Sequence, residues 1–269
     1  MAYKVLALDI DGTLTNSEKK ITEKTRTAIS RAAGQGVKIV IASGRPVQGI
    51  REFARQLNLK ELDGYILSFN GGRLISCRTG EIIHDMKLPL QYLPEIYALS
   101  RQYGVNLMSY EGDNIITEKP EDEFLAIEAR INGLGIKKVD NFLEYINFPI
   151  NKCLMLGEGD YLADVEKKVH AALSDRLDVY RSEPFFLEIL PKGVDKAKAL
   201  EGLLDRLGCD RTELMACGDG YNDLTMIRYA GMGVAMANAM TQVKEEADYV
   251  TTSNDEDGVA AAVEKFILE

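Results

Sequence analysis

Two short runs place carboxylates close enough in sequence to act together: Asp9-Ile10-Asp11-Gly12-Thr13 and Gly218-Asp219-Gly220-Tyr221-Asn222-Asp223. Between them lie Ser43-Gly44-Arg45, Asn70-Gly71-Gly72 and Lys196. Gathered at one place, Asp9, Asp11 and Asp219 repel one another, which is tolerable only if a cation or shifted protonation relieves them. Oxygen-only ligands select a hard divalent ion, and a small rigid site with phosphate present favours Mg²⁺. The flanking groups suit phosphate: N–H groups of glycine-containing loops, the Ser43 hydroxyl, the Asn222 amide and Lys196 near a helix start. Metal and phosphate together point to phosphoryl transfer.

Each piece alone has a plainer reading. Asp-x-Asp-Gly also occurs in solvated turns and in calcium loops, but an EF-hand places its glycine sixth and is entered from a helix, whereas an apolar run precedes Asp9. Asp219 and Asp223 suit a helix N-terminus, Ser43 and Arg45 could cap the helix after Pro46, and a lysine on a helix is normally solvated. Asn70 and Asn238 fall in strand-end loops, and His84 and His170 read as surface or hairpin residues. The constellation carries the chemistry, so the elements must bring it together.

The runs Tyr3 to Ile10, Val37 to Ala42 and Gly64 to Phe69 are apolar on both faces, as strands of a covered parallel sheet are. Helices fit between them, the first capped by Thr22 and stopped by Gly34 and Gly36, the second with Ile50, Phe53, Ala54 and Leu57 on one face. This alternation implies an α/β sheet with right-handed crossovers. After Gly72 a hairpin around Thr79-Gly80 takes the chain out of that sheet, and residues 86–185 read as an inserted α+β unit. Beyond Leu187 the rhythm returns, beginning with a strand at Glu188-Ile189-Leu190, so residues 1–85 and 186–269 form one discontinuous domain. Ligands of such sheets bind beyond the carboxyl ends of the strands, where each polar run sits.

Composition removes other classes. Of 269 residues 46% are hydrophobic and 28% charged, which suits a globule and not a disordered tract. The net charge of −10 disfavours a nucleic-acid or anionic-membrane surface. Four cysteines without CxxC spacing fit a reducing compartment, and two histidines make a zinc site unpromising. The opening MAYKVLALDIDG lacks the pattern of a signal peptide and no apolar run reaches transmembrane length, so a cytoplasmic address is expected. The expected partner is a small-molecule phosphate ester, with the chain a monomer or homodimer.

The four runs resemble the motifs of the haloacid dehalogenase (HAD) superfamily of phosphotransferases: Asp9-Ile-Asp11-Gly-Thr-Leu the first, Ser43 the second, Lys196 the third, Gly218-Asp219-Gly-Tyr-Asn222-Asp223 the fourth. Their spacing, with the insertion between the second and third, is similar to the Cof-type sugar-phosphate phosphatases, and the resemblance spans essentially the whole chain. Ala197 departs from the Lys-Gly usual there. The resemblance implies a Rossmann-like parallel-sheet core with an inserted α+β cap that closes over the site and sets specificity. It implies Asp9 as nucleophile, forming an aspartyl phosphate, and Asp11 as the acid that protonates the leaving group and then the base that activates water. Lys196 is then expected to neutralise the transferring oxygens, with Ser43, Gly44 and Asn222 orienting them. Mg²⁺ is expected on Asp9, the Asp11 backbone carbonyl and Asp219, and Asp223 to orient Lys196 or a metal-bound water. The expected activity is a Mg²⁺-dependent phosphomonoesterase of small phosphorylated metabolites. A phosphosugar mutase and a receiver-like module signalling through phosphorylated Asp9 are the alternatives.

Overall fold

The computed structural model describes residues 3–269; Met1 and Ala2, which open the segment read against a signal peptide, lie outside them. The described chain divides into two compact units, one of residues 3–84 and 195–269, the other of residues 85–194. Strands β1 (Val5–Leu8), β2 (Lys38–Ala42), β3 (Tyr65–Ser68), β4 (Arg73–Ser76) and β5 (Ile82–Asp85) come first. Then follow β6 (Asn106–Glu111), β7 (Asn114–Thr117), β8 (Gly135–Lys138), β9 (Cys153–Leu156), β10 (Leu177–Glu183) and β11 (Phe186–Pro191). The last are β12 (Leu214–Gly218), β13 (Met232–Ala235) and β14 (Tyr249–Val250). Helices α1 (Glu23–Gly34) and α2 (Val47–Gln56) belong to the first unit, and α3 (Leu93–Gln102), α4 (Glu123–Asn132), α5 (Phe142–Tyr145) and α6 (Gly159–Leu173) to the second. The first unit is completed by α7 (Lys196–Leu207), α8 (Leu224–Tyr229), α9 (Thr241–Glu246) and α10 (Gly258–Val263).

The first unit is built on a sheet ordered β14-β13-β12-β1-β2-β3-β4-β5, parallel from β14 through β3. Alternation along the strands explains why it needs helices on both sides. Leu6, Leu8, Ile39, Ile41, Met215 and Cys217 pack with Ile29 of α1, Ile50 of α2 and Val259 of α10. The intervening Val5, Ala7, Val40, Ala42, Leu214 and Ala216 pack with Leu200 and Leu203 of α7. Helix α1 starts where expected, with Thr22 Oγ1 accepting from the Thr25 N–H at 3.1 Å. Strand β1 lies between β2 and β12, so the crossover from β1 to β2 and that from β12 to β13 run in opposite directions, which opens a crevice at the carboxyl ends of β1 and β12. Asp9 and Asp219 directly follow those two strands.

Two expectations need correction. The hairpin after Gly72 does not leave the first sheet: β4 pairs antiparallel with β3 and β5 lies beyond it. The run Glu188-Ile189-Leu190 belongs to β11, which pairs antiparallel with both β10 and β9 in the second unit. The return to the first unit therefore falls after Val194 and not at residue 186. An apolar strand buried on both faces, as all six residues of β11 are, reads alike in either sheet, and only its partners tell them apart.

The second unit is an α+β layer with sheet order β10-β11-β9-β6-β7-β8, antiparallel except for β7 beside β8. One face packs Leu107, Met155, Leu187 and Ile189 against Leu93 and Ile96 of α3, Phe142 of α5, and Leu162, Val165 and Val169 of α6. The other packs Met108, Leu154 and Phe186 against Leu125 and Ala129 of α4. No helix among the described residues is long and apolar enough to cross a membrane.

Helix α7 carries Lys196 at its first position, and its own seat on the sheet depends on fully buried Leu200. Leu200→Ala should cost about 2–5 kcal/mol through lost transfer energy and the residual cavity. Urea unfolding checks this: the midpoint should fall with the slope unchanged, and an unaltered midpoint would show that α7 is not held by this contact.

Candidate active site

The ladder between β1 and β12 runs one residue past both strands. The Asp9 N–H donates to the Cys217 carbonyl at 3.1 Å, which sets Asp9 beside Gly218. The chain then turns back at once, with the Leu14 N–H donating to the Asp9 carbonyl at 3.1 Å and the Thr15 N–H to that of Ile10 at 3.0 Å. Gly12 has φ +84°, and a Cβ there would run into the Asp219 carboxylate, so both its conformation and the approach of Asp219 require glycine. Thr13 Oγ1 donates to Asp219 Oδ1 at 2.7 Å, and Asn238 Nδ2 to the Gly12 carbonyl at 2.8 Å. The two sequence runs are thereby stitched into one loop cluster.

Asp9, Asp219 and Asp223 each offer a carboxylate oxygen to a group whose members all lie within 4.8 Å of one another. Their chemistry differs. Asp223 is fully committed: Oδ2 accepts the N–H groups of Asp219 and Gly220, both at 3.0 Å, and Oδ1 accepts Lys196 Nζ at 2.6 Å. Lys196, its side chain completely buried, donates also to Asp9 Oδ1 at 2.8 Å and to the Ala42 carbonyl at 2.9 Å, so all three ammonium hydrogens are placed. Asp9 Oδ2 and Asp219 Oδ2 have no hydrogen-bond donor among the described residues.

One ammonium faces three carboxylates here, and the titration behaviour follows. Burial above all pushes the Asp9 carboxyl well above its ordinary range; the charges of Asp223 and Asp219 add to this, and Lys196 opposes it. Burial likewise lifts Asp219 to about 6, with the Thr13 hydrogen bond pulling down and the Asp223 charge pushing up. Burial alone would lower the Lys196 ammonium, but Asp223 and Asp9 outweigh it and raise its pKa.

Asp11 is not in that group. Its carboxylate accepts Arg45 Nε on Oδ2 and Arg45 Nη2 on Oδ1, both at 2.7 Å, and Lys19 Nζ on Oδ1 at 3.0 Å. Arg45 in turn lies over the Phe53 ring of α2, 5.5 Å from its centroid. Burial pushes the Asp11 carboxyl up, yet the hydrogen bonds and charges of Arg45 and Lys19 win and hold it below its usual value. With these cations in place the geometry favours the Asp11 carboxylate.

Ser43 and Gly44 follow β2, with the Ser43 N–H donating to the Leu67 carbonyl at 2.8 Å and the Ser43 Oγ accepting the Arg45 N–H at 3.3 Å. Asn222, exposed, reaches this loop through Asn70, its Nδ2 donating to Asn70 Oδ1 at 3.1 Å. The structure thus gathers Asp9, Asp219, Asp223 and Lys196 in one cluster and links Gly44 and Asn222 through Asn70. Sequence reasoning gave no role to Lys19, and weighed Arg45 as a helix cap or a substrate contact but not as a partner of Asp11. The strand-end position of Arg45, next to Ser43, was a signal for it, whereas nothing in the polar run Asn16–Lys20 singles out Lys19.

Residues 6–263 match the sequence pattern of the haloacid dehalogenase-like hydrolases. YxeH of Bacillus subtilis (strain 168), which carries an inferred phosphatase name, is 35% identical over 269 residues, 99% of each chain. A haloacid dehalogenase-like hydrolase from Bacteroides thetaiotaomicron has a structure similar at TM-score 0.94 and 44% identity, covering 98% of this chain and 99% of that one. The HAD subclass IIB sugar phosphatase BT4131 is similar at TM-score 0.83 and 29% identity, covering 98% of each. With a doubly covered parallel sheet, an inserted α+β unit and both acidic runs at the carboxyl ends of β1 and β12, the chain belongs to the haloacid dehalogenase-like hydrolases, as one of their phosphatases.

Proposed function

We propose that the protein is a Mg²⁺-dependent phosphomonoesterase of small phosphorylated metabolites, sugar phosphates first among them. The observation that carries this reading is the asymmetry of Asp9: Lys196 holds Oδ1, and Oδ2 has no donor among the described residues. Oδ2 attacks phosphorus, the new O–P bond forms as the bond to the leaving oxygen breaks, and the product is an aspartyl phosphate. Asp11, protonated from solvent once the ester's oxygens have drawn Arg45 and Lys19 off its carboxylate, passes that proton to the departing alkoxide. In the second half Asp11 takes a proton from water as that water's oxygen bonds to phosphorus, and Asp9 leaves with inorganic phosphate released. The carboxylate form of Asp11 suits this second task. The first requires Arg45 and Lys19 to give up the carboxylate, and the oxygens of a phosphate ester are a rival anion for both cations.

The donor set fits a hard divalent cation. Asp9 Oδ2 and Asp219 Oδ2 are carboxylate oxygens without donors among the described residues, and one ammonium leaves negative charge in excess. Asp9 and Asp219, with the Asp11 backbone carbonyl, would hold Mg²⁺, and Asp223 would not, since both its oxygens are committed. Bound there, the ion supplies charge neutralisation to the phosphoryl oxygens. Ser43, Gly44 and Asn222 orient those oxygens, Lys196 keeps Asp9 aimed and partly neutralised, and the inserted unit selects the leaving group.

Phosphate release from para-nitrophenyl phosphate and from hexose phosphates tests the chemistry. Turnover should require Mg²⁺, stop with EDTA, and fall by about 10³-fold or more in Asp9→Asn. Undiminished turnover in that variant would remove Asp9 as nucleophile, and return of the phosphoryl group to sugar instead of water would make the enzyme a mutase.

Asp219 gives a second test. Its folded value of about 6 lies above the ordinary 3.8, so between these the native state binds the extra proton. In metal-free protein its contribution to stability is therefore lost as pH rises from about 4 through 6. In EDTA the thermal midpoint should fall between pH 5 and 7 relative to Asp219→Asn, and Mg²⁺ should restore it at pH 7 far more than at pH 5. Parallel pH courses for the two proteins would count against this reading of the site.

A further inference from the structure

Directly after β3 the backbone takes three left-handed residues in a row: Phe69 at φ +54°, Asn70 at +55° and Gly71 at +107°. Glycine adopts this region freely and asparagine tolerates it, but a phenylalanine there costs on the order of 1 kcal/mol or more. The strain persists because the segment is fixed from three directions. The N–H groups of Phe69 and Asn70 donate to the carbonyls of Arg45 and Ser43 at 3.1 and 3.0 Å. A Cβ on Gly71 would run into the Asp195 carbonyl, the cap of the helix that carries Lys196. Between these, the Asn70 side chain, 7% exposed, lies so flat against Gly44 that a Cβ there would sit 3.0 Å from Asn70 Oδ1 and 3.1 Å from Nδ2. That same Oδ1 accepts Asn222 Nδ2 at 3.1 Å, the one hydrogen bond made by the Asn222 side chain among the described residues.

We propose that Asn70 is the positioning residue of the phosphate cradle: it fixes the otherwise exposed Asn222 amide and the path of the Gly44 backbone, so that the second Asn222 amide hydrogen is presented to a phosphoryl oxygen. The proposal rests on the phosphatase reading for what the cradle holds. Its physical basis is pre-organisation. An exposed asparagine pays rotamer entropy to bind an anion, and a buried, conformationally fixed acceptor pays that cost during folding. It also explains why a strained segment is retained here: only a left-handed residue 70 carries its side chain to Gly44 and Asn222 while residue 71 meets Asp195.

Two substitutions separate positioning from stability. Asn70→Gly removes the amide and relieves the backbone, so the thermal midpoint should hold or rise. Asn70→Ala removes the same amide and keeps the strain, so the midpoint should fall. Both should weaken inorganic phosphate binding, measured by equilibrium dialysis in Mg²⁺, by about ten-fold, and lower kcat/KM for para-nitrophenyl phosphate to a similar degree. In an Asn222→Ala background each should cost clearly less than it does alone, the remainder being the part that acts through Gly44. Phosphate affinity that tracks the midpoint, or additive losses with Asn222→Ala, would overturn the proposal, as would wild-type protein that binds no phosphate. If wild-type protein binds phosphate and the variants weaken it while no phosphomonoester is turned over, the cradle stands and the hydrolase reading fails.

Discussion

Everything at the carboxyl ends of β1 and β12 depends on one buried ammonium. Lys196 Nζ touches Asp9, Asp223 and the Ala42 carbonyl, contributed by the ends of β1 and β2 and by the turn after β12, while its own backbone begins α7. A completely desolvated lysine is costly unless its hydrogens are all placed and its charge is met. Here both conditions hold, and they hold only if three loops and a helix start are in register. The same interaction that makes Asp9 tolerable in a buried place also dictates which of its oxygens stays available.

Asp223 shows how a carboxylate can lie inside an acidic cluster without being a candidate ligand. Distance alone groups it with Asp9 and Asp219, but its oxygens are consumed by Lys196 and by two backbone N–H groups. Those two N–H groups belong to Asp219 and Gly220, so Asp223 shapes the turn that presents Asp219 while it neutralises the lysine that holds Asp9. Charge and conformation are coupled through one side chain. Removing it would leave Lys196 with one carboxylate and the Asp219 turn without its acceptor.

The first and fourth runs were legible because they are local: two acids one residue apart after an apolar strand, and two acids four apart around a turn. Thr22 as a helix cap was legible for the same reason. Lys196 was not, since its neighbours Lys192 and Lys198 differ from it only in what the fold packs around them; resemblance to a family, not local chemistry, picked it out. The resting partners of Asp11 were hidden for a related reason: Arg45 arrives from the loop after β2, and Lys19 from a run of polar residues with no period. The assignment of β11 failed because a two-sided apolar strand does not encode which sheet it joins.

The two aspartates of the first run differ in environment as the two tasks proposed for them would require. Asp9 and Asp11 are separated by one residue, yet Asp9 sits almost wholly buried with its pKa driven up, and Asp11 sits 38% exposed at its side chain with its pKa driven down. The difference comes from the turn that begins between them. Asp9 still follows the ladder of β1, whereas the chain doubles back at Gly12 and sends Asp11 toward cations on the rim. In the proposed reaction the nucleophile needs a fixed direction and a charge balanced by something that does not move, and Lys196 would supply both from the interior. An acid and base must change its proton between half-reactions, so its partners have to be groups that a substrate anion can draw away. Arg45 and Lys19 meet that requirement because each is a cation whose hydrogen bonds to Asp11 can be exchanged for hydrogen bonds to a phosphate oxygen.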